Sequence, residues 1–173
     1  MNLKDKIRTV PNYPIDGVMF RDITPLLQDP EAFMEACDQL YNRYKDINID
    51  KVVGIDARGF IFGAVLAYKL KKGFVPVRKK GKLPYKTISK RYSLEYGENI
   101  VDIHEDAIQK EENVLIVDDL LATGGTIGAA KDLVKMLGGV IVECAFIIEL
   151  PDLKGREKIK GHNVFSLIEF EGE

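Results

Sequence analysis

Two adjacent acids, Asp118 and Asp119, follow the apolar run Val114-Leu115-Ile116-Val117 and lead into Leu120-Leu121-Ala122-Thr123-Gly124-Gly125-Thr126. Neighbouring carboxylates at the mouth of an apolar strand repel each other and face partial desolvation, so they suit a site where hydroxyls or a cation meet them. A ribose diol with Mg2+ nearby would supply both. In the small-residue turn that begins at Ala122, Gly124 and Gly125 let the backbone fold back with its N–H groups converging, and Thr123 and Thr126 add hydroxyl donors. A helix opening at the same point brings partial positive charge, which makes the turn an anion cradle suited to a phosphomonoester. An ordinary strand-turn-helix would also use an Asp cap and a glycine turn. The paired acids, both threonines and the apolar run together favour phosphate and ribose. No Lys follows the glycines as in a Walker A loop, and the spacing of a dinucleotide fingerprint is missing.

The other chemical feature is a block of charge. Arg78, Lys79, Lys80, Lys82, Lys86, Lys90 and Arg91 fall within 14 residues that hold no acid. The other 159 residues set 18 basic groups against all 27 acidic ones, a net charge of −9. Such a block is either a solvated face or a polyanion site. With Gly81 and Pro84 inside it and no clear periodicity, the stretch from Lys79 to Arg91 is expected to be a mobile loop whose self-repulsion is relieved when a polyanion arrives.

These residues need a frame. Asp29-Pro30-Glu31 is a helix start, with Asp29 as N-cap, and Phe33, Cys37, Leu40, Tyr41 and Tyr44 then recur at helical spacing. Lys51 to Ile55 reads as a buried strand, Gly59 to Lys71 as a helix, Gly73 to Val77 as a strand, and Arg91 to Tyr96 with Ile100 to Ile103 as a strand pair around Gly97. Val114 to Val117 is a further strand, followed by a helix from about Thr126 to Leu137 that Gly138-Gly139 ends, and then a strand from Val140 to Ile148. Alternating strands and helices predict an α/β fold with a mainly parallel central sheet flanked by helices, whose ligands gather beyond the carboxyl ends of the strands.

At 173 residues and 46% apolar composition, the chain is expected to form a single domain over 1–173. No stretch approaches the roughly 18 apolar residues of a membrane span, so a soluble, cytoplasmic protein without a membrane partner is expected. Cys37 and Cys144 lie inside apolar patterns and read as buried thiols. The net charge of −2 offers no basic footprint for nucleic acid. His104 and His162 match no motif and read as surface or packing residues.

The segment from Val114 to Thr126 resembles the phosphoribosyl pyrophosphate motif of the type I phosphoribosyltransferases. Four further stretches, Gly17 to Pro25, Gly54 to Phe60, Arg78 to Pro84 and Tyr92 to Gly97, resemble the adenine-specific branch in order and spacing, as does Leu150 to Lys158. Tyr85-Lys86 stands where some members have Gly-Pro. The resemblance implies that fold, with a small N-terminal hood contributed mainly by about residues 10–28, and purine salvage that forms AMP and pyrophosphate from adenine and phosphoribosyl pyrophosphate. It implies that Asp118, Asp119, Ala122, Thr123, Gly124, Gly125 and Thr126 bind phosphate and ribose. Arg58, Gly59, Arg78, Lys79 and Lys82 would bind pyrophosphate, with Arg78 reaching the neighbouring subunit of a homodimer.

By the same resemblance Phe20 stacks on adenine, backbone groups around Met19 and Arg21 read its edge, and Leu150 closes the far side. Glu95 would be a proton-transfer group, and Arg58 and Lys82 would assist the leaving group. Mg2+ would be held mainly through substrate and water, with no direct protein ligand. Two other readings stay open. One is a phosphoribosyltransferase for hypoxanthine, guanine or xanthine. The other is a phosphoribosyl pyrophosphate-sensing regulator without catalysis, for which the expected DNA-reading segment finds no room before Gly17.

Overall fold

In the computed structural model, which describes residues 1–94 and 97–172, the chain passes through β1 (Arg8–Pro11), β2 (Met19–Asp22), α1 (Thr24–Gln28), α2 (Pro30–Tyr44), β3 (Lys51–Ile55), α3 (Gly59–Leu70), β4 (Gly73–Lys79), β5 (Thr87–Leu94), β6 (Gly97–His104), β7 (Asn113–Leu121), α4 (Gly125–Met136), β8 (Val140–Glu149) and β9 (Val164–Glu169). Short 3-10 turns lie at Leu3–Lys6, Pro151–Leu153 and Gly155–Ile159.

Seven strands form one sheet in the order β5-β6-β4-β3-β7-β8-β9. The neighbours from β4 to β9 are parallel, and the β5–β6 hairpin adds an antiparallel edge through β6 on β4. The aliphatic runs of β3, β7 and β8 are apolar on both sides because both faces are covered. Alternation along each strand sends Val52, Leu115, Val117, Ala145 and Ile147 to one face, under α2 and α3. It sends Val53, Ile116, Cys144 and Phe146 to the other, under α4. Each fully buried Phe or Leu in these layers stabilises the fold by about 1.5–3 kcal/mol.

Local signals explain the helix ends. Asp29 Oδ1 accepts from the N–H groups of Glu31 (3.0 Å) and Ala32 (3.3 Å), so α2 starts at Pro30 as its sequence predicts. At its other end Tyr44 and Arg43 both donate to Glu143 on β8, with Arg43 Nε 2.7 Å and Tyr44 Oη 2.5 Å from Oε2, which fixes the helix to the sheet. The α4 helix begins after Gly124 (φ 88°) and stops before Gly138 (φ 90°), both in the left-handed region that glycine tolerates. Both cysteines are free and buried, and burial pushes the Cys37 thiol up to about 11 and Cys144 to about 12.

Two expectations change. The loop predicted over Lys79 to Arg91 narrows to residues 80–86, because Lys79 closes β4 and β5 runs from Thr87 in full antiparallel register with β6. Cross-strand hydrogen bonds and acids from elsewhere offset the repulsion that the charge block implied: Lys90 lies 3.5 Å from Asp132 and Arg91 lies 3.6 Å from Glu98. The N-terminal hood, expected over about residues 10–28, is built on the antiparallel β1–β2 ribbon and begins earlier, at Arg8. His104 accepts the Tyr85 N–H at 3.3 Å, which fits its reading as a packing residue.

Candidate active site

From β3 the chain crosses through α3 to β4, and from β7 it crosses through α4 to β8 on the opposite side. Adjacent strands whose connections depart in opposite directions leave a crevice at their carboxyl ends. A cavity of about 240 Å³ occupies it, lined by Asp56, Ala57 and Arg58 from the β3–α3 turn and by Asp118 through Ile127 from β7 and its turn.

The acids sit differently from their sequence-based placement. They do not follow the strand but lie within it, since β7 continues to Leu121 and Asp118 stands in register with Phe146. The apolar run stops at Val117, but β8 supplies ladder partners as far as Glu149. Asp119 is buried and pairs with Arg58, whose Nε is 2.8 Å from Oδ2. The Asp118 carboxylate accepts the Asp119 N–H at 2.8 Å. Burial, followed by the charge of Asp119, pushes the Asp118 carboxyl well above the usual carboxylate range. One arginine thus faces two acids, a set that favours ligand groups able to donate hydrogen bonds to Asp118.

Two glycines make the walls possible. A Cβ on Gly59 would lie 2.9 Å from both Asp118 Oδ1 and the Val117 carbonyl oxygen. Gly59, to which the resemblance gives a part in binding pyrophosphate, is therefore also where α3 approaches the acid-bearing strand. On the other side, a Cβ on Gly124 would meet the Gly155 carbonyl, and one on Gly155 would meet that of Ala122. The segment after β8 thus backs directly onto the anion cradle. Arg156 holds that segment through two 2.8 Å hydrogen bonds to the buried carboxylate of Glu149.

A second cavity of about 410 Å³ lies alongside, lined by Gly17, Val18, Met19, Phe20, Arg21, Leu120, Ala122, Thr123, Leu150 and Leu153. Leu120, Ala122 and Thr123 are common to both cavities. Phe20 packs edge-on against Tyr13 with centroids 5.2 Å apart, and the Arg58 guanidinium lies 5.5 Å from its centroid. The Arg21 side chain turns away: Nη1 donates to Thr9 Oγ1 at 2.8 Å and the guanidinium lies 4.4 Å from the centroid of Phe170. Arg21 is nonetheless among the residues of β2 that line the second cavity, with Met19 and Phe20.

The structure therefore brings together Arg58, Asp118, Asp119 and Ala122 through Thr126, and places Met19, Phe20, Arg21 and Leu150 next to them. It leaves Arg78, Lys79 and Lys82 outside both linings. Arg78 instead lies 3.3 Å from Asp56 of its own chain, at the edge of the first cavity, while Lys79 and Lys82 are exposed. Glu95 lies outside the described residues. Sequence reasoning missed Asp56, Tyr92 and Gly155 as individuals, although each stands inside a stretch singled out by resemblance. Among the described residues no cluster of three or more His, Cys, Asp or Glu could hold a metal ion. No described helix is long and apolar enough to cross a membrane.

An acidic pair on one strand, an anion-binding helix start and a facing basic turn, set at this switch point, define a phosphoribosyl transferase domain, and the family of that description matches residues 22–172. Adenine phosphoribosyltransferase of Desulfosudis oleivorans is 68% identical over 173 residues, covering 100% of both chains. The crystal structure of adenine phosphoribosyltransferase from Thermoanaerobacter pseudethanolicus superposes with a TM-score of 0.94 at 48% identity, covering 97% of this chain and 98% of that one. The enzyme of Trypanosoma brucei, solved with AMP, pyrophosphate and ribose 5-phosphate, superposes with a TM-score of 0.89 at 28% identity over 96% of this chain and 78% of its own. The chain belongs to the adenine phosphoribosyltransferases, pentosyltransferases of purine salvage.

Proposed function

We infer that the two cavities divide one reaction between them: the first takes the phosphoribosyl group of phosphoribosyl pyrophosphate and the second takes adenine. The observation that carries this reading is their common wall at Leu120, Ala122 and Thr123, which sets a base in one beside a sugar in the other. As adenine N9 bonds to C1 of the ribose, the bond from C1 to pyrophosphate breaks and the purine gives up a proton. Charge develops on an oxocarbenium-like sugar and on the leaving group. Preorganised donors serve best where charge grows, and Arg58 with the N–H groups of the β3–α3 turn faces that side of the cavity. Thr123, Gly124, Gly125 and Thr126 hold the 5-phosphate at the start of α4. Asp118 and Asp119 accept from the ribose hydroxyls. Phe20 and Leu150 enclose the base, and Glu95 receives the purine proton.

The acidic pair fits Mg2+ held through substrate and water, because Asp119 is already paired with Arg58 and would meet the ion through the ribose hydroxyls or water. The ion, when bound, neutralises charge on the pyrophosphate oxygens. Arg78, 3.3 Å from Asp56 at the edge of the first cavity, adds positive charge there, and Lys79 and Lys82 follow it on the same exposed segment.

Competition between bases tests the assignment. The 6-amino group of adenine donates where a 6-oxo group accepts, so a backbone edge matched to adenine leaves buried groups unpaired with hypoxanthine or guanine. With phosphoribosyl pyrophosphate and Mg2+, purified protein offered all three bases together should make AMP almost alone. Formation of IMP or GMP at a comparable rate would reject adenine as the substrate.

A further inference from the structure

We propose that Tyr92 is a positioning residue of the phosphoribosyl site, the middle member of a hydrogen-bond relay from Asn99 through Tyr92 to Thr126, whose hydroxyl meets the 5-phosphate. The proposal rests on the reading of residues 122–126 as the phosphate cradle. Tyr92 stands on β5, and its register partner across the hairpin is Asn99 on β6. Thr126 Oγ1 donates to Tyr92 Oη at 3.1 Å, and Asn99 Nδ2 donates to the same oxygen at 3.4 Å. The ring lies against the cradle itself, where a Cβ on Gly125 would fall 3.0 Å from Tyr92 Cδ2. A hydroxyl from the edge hairpin thus contacts the first turn of α4, although three strands, β6, β4 and β3, separate β5 from the acid-bearing β7 in the sheet.

The chemistry of the three groups gives the relay a direction. A Thr hydroxyl carries one proton, so Thr126 cannot donate to Tyr92 and to a phosphate oxygen at once. When phosphate takes that donation, the phenol hydroxyl rotates and donates to Thr126 Oγ1, while Asn99 goes on donating to Tyr92 Oη. The bonds then run head to tail from amide to phenol to hydroxyl to anion. Each polarises the next, and the last is charge-assisted. No proton changes owner. The hairpin is thereby held by the hydroxyl that binds phosphate, so occupancy of the cradle and the seating of β5 on α4 strengthen each other.

The Tyr92→Phe variant keeps the ring on Gly125 and removes only the relay oxygen. It should raise KM for phosphoribosyl pyrophosphate, and the calorimetric Kd of AMP measured without turnover, by about three- to tenfold, the range of one net hydrogen bond. Both kcat and KM for adenine, which does not reach the cradle, should stay within about twofold. Thr126→Val should weaken the same two ligands, and the double variant should be no weaker than Thr126→Val alone, because the relay ends at that hydroxyl. The relay is overturned if Tyr92→Phe binds AMP normally while Thr126→Val does not, if the two losses multiply, or if Tyr92→Phe damages kcat and adenine KM as much as phosphoribosyl pyrophosphate KM. Normal AMP affinity in Thr126→Val would instead remove the cradle reading, and the relay with it.

Discussion

Asp118 carries most of the tension in the site. Its carboxyl is pushed up first by burial and then by Asp119, and Arg58 is committed to Asp119. An ordinary aspartate titrates near pH 4, so between that value and its raised native one the folded state binds more protons than the unfolded state, and stability falls as pH rises. Asp118→Asn should match the wild type in thermal denaturation at about pH 4 and become progressively more stable than it towards neutral pH. A stability difference that stays constant across this range would contradict the assignment. The pairing of the acids was legible in the sequence. Their different fates were not, because which carboxylate meets Arg58 depends on how far β8 extends the strand. Phe20 shows the same limit, since its place in the chain predicts a ring near the base but not Tyr13 against its edge or Arg58 over it.

Among the elements, those with strong local signals were legible: α2 from its Asp-Pro start, α4 from glycines at both ends, and β3, β7 and β8 from their apolar runs. The start of β5 was hidden because its inner face is set by pairing with β6, a contact between residues such as Thr87 and His104 that no local pattern records. The segment after β8 was legible only by resemblance, yet it forms the back of the cradle. Glu149 there is held below its usual range, chiefly by Arg156 and despite the opposing effect of burial. Arg156→Ala leaves that buried carboxylate with Ser166 as its remaining side-chain partner (2.9 Å), so the variant should lose about 1–3 kcal/mol of stability. A depressed native value means the contribution is present above the ordinary glutamate range and lost as pH falls through the native value, so the deficit seen by denaturant titration should shrink in acid. AMP affinity should fall as well, because Gly155 loses its hold behind Gly124. An Arg156→Ala protein with unchanged stability and AMP affinity would show that the segment does not brace the site.

At the scale of the whole molecule, we propose a homodimer. The outward face of α3 leaves Ile61 (37%) and Tyr68 (84%) exposed, an apolar surface beside the turn that bears Arg58. Arg78 lies at the rim, paired with Asp56 in its own chain, close enough to the surface to serve either subunit. Sedimentation should give a dimer at micromolar concentration, and Tyr68→Glu should shift it towards monomer. A wild-type chain that stays monomeric would rule this assembly out.

The central claim is that residues 118–126 form the phosphoribosyl site, and kcat/KM for phosphoribosyl pyrophosphate in an Asp118→Asn, Asp119→Asn protein tests it most directly. Both side chains would keep their size while losing the charge offered to the ribose hydroxyls and, through substrate, to Mg2+. With the melting temperature at or above that of the wild type, a loss on the order of 10²–10³ in kcat/KM is predicted, the range seen when one preorganised polar contact leaves an active site. Near-normal turnover with an unaltered dependence on Mg2+ would contradict it.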